Sequence, residues 1–129
     1  MEHIIKLPAG SLASRIAAKP IREKILKILN ANQSDIVLID LADTDVISGS
    51  YADECIGVIV KYTSYDTVTK RIKLINGNKS VCVSIAQSIL ERKQELDNTV
   101  QNNHYNVVFA WSTISNMIKI ILVAPLPAS

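Results

Sequence analysis

Asp35-Ile-Val-Leu-Ile-Asp-Leu41 decides the fold, read together with the stretch that follows it, Ala42-Asp-Thr-Asp-Val-Ile-Ser-Gly-Ser50. Ile36, Val37, Leu38 and Ile39 run without a polar interruption. A strand with one wet face alternates apolar with polar residues. An unbroken apolar run is covered on both faces, the mark of a central strand in a parallel sheet. Residues 42–50 are rich in Asp, Ser and Gly and read as a loop. A helix is expected from about Ser50 to Tyr62. Ser50 suits the N-cap, and Asp53 and Glu54 fall in the first turn, where the helix dipole favours acids. Ser50 and Asp53 also approximate a capping box. Ala52, Cys55, Ile56, Ile59 and Val60 form its apolar stripe.

Upstream, His3–Leu7 is a short apolar run closed by Pro8-Ala9-Gly10, an expected edge strand. Residues 11–19 are ambiguous. Pro20 is expected in the first turn of a helix, where its missing N–H is harmless, with Ile21, Ile25, Ile28 and Leu29 on the apolar side. Downstream, Lys70–Ile75 reads as a third strand ending at Asn76-Gly77-Asn78. Ser80 is then the expected cap of a helix carrying Val81, Ile85, Ile89 and Leu90. Val107–Trp111 and Met117–Val123 are strand-like, with a turn over residues 112–116, so a C-terminal β-hairpin is expected. The order is β-α-β-α-β-α followed by β-β. It predicts an α/β fold with a mixed, partly parallel sheet and helices packed on it.

The chain has 129 residues, 48% of them apolar and 20% charged, which predicts a single globular domain. Residues 3–103 are its expected core and residues 104–124 a hairpin extension. A net charge of +2 is too small a basic bias to point to nucleic acid. Two cysteines cannot build a disulfide scaffold and fit a reducing, cytoplasmic setting. No run of 18 apolar residues and no leader pattern occurs, so neither a membrane span nor a signal peptide is expected.

Catalytic chemistry is sparse. His3 and His104 lack partners at metal-ligand spacing and read as surface residues. Cys55 and Cys82 read as small core hydrophobes. Gly77-Asn-Lys-Ser80 sits between a strand and a helix but lacks the second glycine of a phosphate-binding loop. Asp40, Asp43 and Asp45, with Asp53 and Glu54 beyond, cluster near the central strand. They spell out no full set of magnesium ligands, and a solvated loop explains them. Neither a catalytic set, a metal nor a cofactor is therefore expected. What remains is position. The loop over 42–54 leaves the carboxyl end of a central strand, where open α/β sheets bind ligands and partners.

The segment Ile36–Leu41, the acidic loop, and then Ile47-Ser-Gly-Ser-Tyr-Ala-Asp-Glu54 resemble the bacterial STAS-like domain family of unknown function. Its pattern has a strand ending in Asp and an Ile-Ser-x-Ser-Phe-Ala-Asp-Glu helix start. Here Tyr51 stands where Phe is usual. Ser14-Arg15 and Leu74-Ile75-Asn76 also resemble family positions, and the likeness spans roughly residues 5–90. The resemblance implies a STAS-like fold and a non-enzymatic regulatory module. In the STAS anti-sigma-factor antagonists, the corresponding loop carries a phosphorylated Ser and binds a histidine-kinase-like ATPase. Laid on this chain, that acceptor position is Gly49, with Ser48 before it and Ser50 after it, so Ser50 or Ser48 would have to substitute. The implied partner surface is Asp43, Asp45, Ser48, Gly49, Ser50, Tyr51 and Asp53. Two other classes stay open beside it. One is an oligomerising structural subunit, a homodimer through the C-terminal hairpin, which the mean hydropathy of +0.20 favours. The other is a small nucleotide- or metal-binding protein.

Overall fold

In a computed structural model, residues 1–97, 107–112 and 117–122 are described. β1 (Glu2–Lys6), β3 (Ile36–Asp40) and β5 (Ile72–Ile75) form a parallel ladder. β6 (Val107–Ser112) and β7 (Met117–Leu122) are antiparallel to each other, and β7 pairs antiparallel with β5. The sheet order is β1-β3-β5-β7-β6, a mixed α/β architecture as expected. The turn expected between the last two strands, and with it the hairpin and its dimer role, lies outside the described residues.

Within the unbroken run, Val37 and Ile39 face the main core beside Leu74 of β5 and Ile5 of β1. Leu38 points to the opposite face and is still only 8% exposed. Both-face burial therefore holds, and β3 lies inside the sheet with β1 at the edge. The core is completed by Ile25 and Leu29 from α1 (Arg15–Ala31), by the stripe from Ala52 to Val60, and by Val81, Ile85 and Ile89 from α5 (Lys79–Asp97). Cys55 and Cys82 are both buried within it, and burial pushes their thiols up to about 12 and about 11.

Four local expectations are corrected. The first helix, α1, starts five residues before Pro20. Ser14 caps it, its side chain accepting from Ala17 N, so Pro20 lies inside the helix, not in its first turn. Residues 42–50 are not all loop, because Thr44–Ile47 is a strand, β4, paired in parallel with β2 (Gly10–Leu12) as a separate two-stranded sheet. The third strand begins only at Ile72, because Tyr65–Arg71 is a short helix, α4, capped by Ser64. It hides in the sequence because Val68 is its only fully buried residue. The cap of α5 is Asn78, whose Oδ1 accepts from Val81 N at 2.8 Å, and Ser80 is an exposed residue of the first turn.

Candidate functional site

At its carboxyl end β3 delivers Asp40, whose Oδ1 accepts from Ala42 N at 3.0 Å and from Asn76 Nδ2 at 3.1 Å. Asn76 follows β5 in the left-handed region, at φ 60°. This carboxylate joins the ends of two neighbouring strands and sets the exit angle of the chain. β4 then runs beside β2, anchored by Thr44 Oγ1 donating to Pro8 O at 2.8 Å and by Ser48 N donating to Leu12 O at 2.9 Å. Asp45 and Val46 are left exposed on β4.

The chain turns into a helix at Ser48, two residues earlier than expected. Ser48 Oγ accepts from Tyr51 N at 3.1 Å, so the cap is Ser48 and not Ser50. α2 (Gly49–Ala52) passes directly into a π-helical turn, Asp53–Gly57, and then into α3 (Ile59–Tyr62). Within this turn Val58 N bonds Asp53 O at 2.8 Å, a five-residue step. Such insertions in α-helices concentrate at functional sites.

The π turn swings Asp53 inward. Asp53 is 8% exposed and its carboxylate is held by two arginines. Arg92 of α5 grips it with two parallel bonds, Nε to Oδ1 at 2.8 Å and Nη2 to Oδ2 at 2.7 Å. Arg15 at the start of α1 adds Nη1 to Oδ2 at 2.7 Å. The Arg92 pair, helped by Arg15 and opposed by burial, holds the Asp53 carboxyl below its ordinary range. Glu54 beside it pairs with Arg22 of α1. Gly57 makes room for this arrangement: a methyl there would meet Asp53 Oδ1 at 2.6 Å and the Ser88 backbone oxygen of α5 at 3.1 Å. The network thus ties α1, the π turn and α5 together, close in the chain to the exposed Gly49-Ser50 pair.

An open cleft of about 520 Å³ adjoins that turn. It is lined by Gly49 and Ser50, by Arg15 and Asp53, and by Ser84, Gln87 and Arg92 of α5 among others. The residues expected to form a partner surface therefore divide. Asp45, Gly49 and Ser50 are exposed, and Ser48 is half-buried as a cap. Asp43 is exposed too, in an ion pair with Lys6 at 2.8 Å. Tyr51 is 1% exposed and Asp53 is buried, so neither presents its side chain to a partner. The capping-box role expected of Asp53 is likewise replaced by its arginine clamp. Arg22 and Arg92 were not signalled by any local motif; Arg15 was, as a family-like position. The acidic residues are split among different partners, and among the described residues no group of three His, Cys, Asp or Glu is placed to hold a metal. No helix among the described residues is long and apolar enough to cross a membrane.

The family model for a STAS-like domain of unknown function (DUF4325) matches residues 17–81. No curated protein and no solved structure matches the chain. The match covers α1 from Ala17 onward, the strand ending in Asp40, the Ser48–Glu54 turn and the strand ending before Asn76. It spans just over half of the 129 residues, and the chain belongs to this STAS-like family of unknown function.

Proposed function

We propose that the protein is a non-enzymatic regulatory module that docks a protein partner through the surface formed by residues 42–50. One observation carries this reading: Gly49 and Ser50 are exposed at the rim of a cleft, while the Ser48 cap and the Asp53 clamp brace the chain on either side of them. Recognition loops are most useful when a rigid scaffold positions them. Here β4 holds one flank and the Asp53 clamp the other. Val46, 55% exposed on β4, adds apolar contact area to this surface. The resemblance to anti-sigma-factor antagonists suggests a partner of the histidine-kinase-like ATPase class, in the bacterial cytoplasm. Ser50 is the better candidate phospho-acceptor, since Ser48 Oγ is engaged as a cap.

The test is a pair of measurements on Ser50→Asp, a thermal melt and a titration with the partner isolated by affinity capture. The new carboxylate sits in a first helical turn, where it favours the fold by about 0.3–1 kcal/mol. Stability should therefore hold while binding weakens, because an unmatched charge in a docked surface must be desolvated. Wild-type binding by Ser50→Asp would refute docking at this turn.

A further inference from the structure

β1 closes the sheet on one side, and β3 is its neighbour on the inner edge. Ile36 N donates to Met1 O at 3.0 Å, and Leu7 N donates to Asp40 O at 3.0 Å. The odd-numbered residues of this segment thus aim their backbone groups at β3. By the alternation of a ladder, the N–H and C=O groups of Glu2, Ile4 and Lys6 point away from it. The side chains of the same three residues are exposed, with Ile4 at 66%, while Ile5 enters the core. No proline or bulge blunts this edge, so it is a template for one more strand.

The order of side chains selects the strand that fits. We infer that two copies of this chain pair β1 to β1 antiparallel, about a two-fold axis at Ile4, joining two sheets into one. In that register Ile4 meets the partner's Ile4, Glu2 meets the partner's Lys6, and Lys6 meets the partner's Glu2. The outward backbone groups of all three residues then fall in the hydrogen-bonded positions of the ladder, so side-chain and backbone matching agree. A parallel pairing would set Glu2 against the partner's Glu2 and Lys6 against the partner's Lys6. An antiparallel slip by two residues would break both ion pairs. Lys6 now contacts Asp43 at 2.8 Å, but both side chains are about half exposed, and an exposed pair of this kind holds Lys6 weakly. The contact is isologous and closes at two copies.

The experiment is sedimentation of the full chain over a concentration series up to about 100 μM, a range that reveals micromolar association. A species of twice the 14.2 kDa chain mass is expected. Ile4→Pro keeps the bonds to β3, because the N–H it removes faces outward, and should weaken the dimer at least about tenfold. Glu2→Lys should weaken it as well, and adding Lys6→Glu to that variant should restore it. Ile4→Cys should form an intermolecular disulfide on mild oxidation, since Cα atoms in such a pair lie about 5.5 Å apart; Ile16→Cys on α1 should not. A chain that stays monomeric throughout overturns the proposal. So does a dimer indifferent to the charge exchange and uncrosslinked at position 4, which would put the interface elsewhere, for instance on the C-terminal strands. The charge exchange and the disulfide decide the matter even if Ile4→Pro fails to fold.

Discussion

Two serines two residues apart do different work. Ser48 Oγ satisfies the Tyr51 N–H, while Ser50 stands exposed in the following turn. Ser48→Ala should therefore cost about 1 kcal/mol in a urea melt. Ser50→Ala should stay within about 0.5 kcal/mol, as exposed changes do. Equal losses at both positions would contradict the capping geometry. Asp53 is the other decisive residue. Removing its charge by Asp53→Asn leaves the partly buried Arg92 without its carboxylate, a loss of about 3 kcal/mol. Its folded carboxyl titrates below the unfolded range, so in acid the unfolded chain binds the proton first. This stabilisation is complete above the ordinary aspartate range, from about pH 5, and is lost as pH falls through the depressed value. An acid titration followed by circular dichroism should show a shallower acid loss for Asp53→Asn than for the wild type. The Ser-Gly-Ser turn was legible from its composition alone. The fate of Asp53 was not, because its clamps lie 38 and 39 residues away along the chain.

Among the elements, β3 was the most legible, since an unbroken apolar run has one common physical cause. Its two faces are nevertheless unequal. Ile39 is fully buried in the main core, whereas Leu38 lies on the other side of the sheet, outside that cluster. Ile39→Ala should cost about 2–5 kcal/mol, and Leu38→Ala should fall near the lower end, about 2 kcal/mol. Urea melts giving Leu38→Ala the larger loss would place the principal core on the opposite face. β4 was illegible for the converse reason. Thr44 and Ile47 are buried but Asp45 and Val46 are exposed, and this broken pattern between Asp, Ser and Gly neighbours looks like loop. Only its pairing with β2, more than thirty residues earlier, makes it a strand. The start of α1 was obscured by Pro20, which in isolation points to a first turn. Tertiary burial of Ala18, Ile25 and Leu29 favours the longer helix.

At the scale of the whole molecule, the order of the main-sheet strands and the long helices followed from periodicity, the small β2-β4 sheet and α4 did not, and the family resemblance rested on the turn at the end of β3. The architecture joins Asp40 and Asn76 at one end of the parallel ladder, and the chain leaving Asp40 leads to the Ser48 cap and the Asp53 clamp. Beneath lies a rigid network; above it stands an exposed polar turn beside a cleft. The functional reading follows from that contrast, and it predicts where a partner touches the protein. A photo-crosslinking residue placed at Ser50 should, on irradiation in the native host, give a discrete adduct with one partner protein. The same residue at Lys70, an exposed position on α4, should not trap that partner. The account predicts the adduct at Ser50 alone; no adduct there, or the same adducts from both positions, would contradict it.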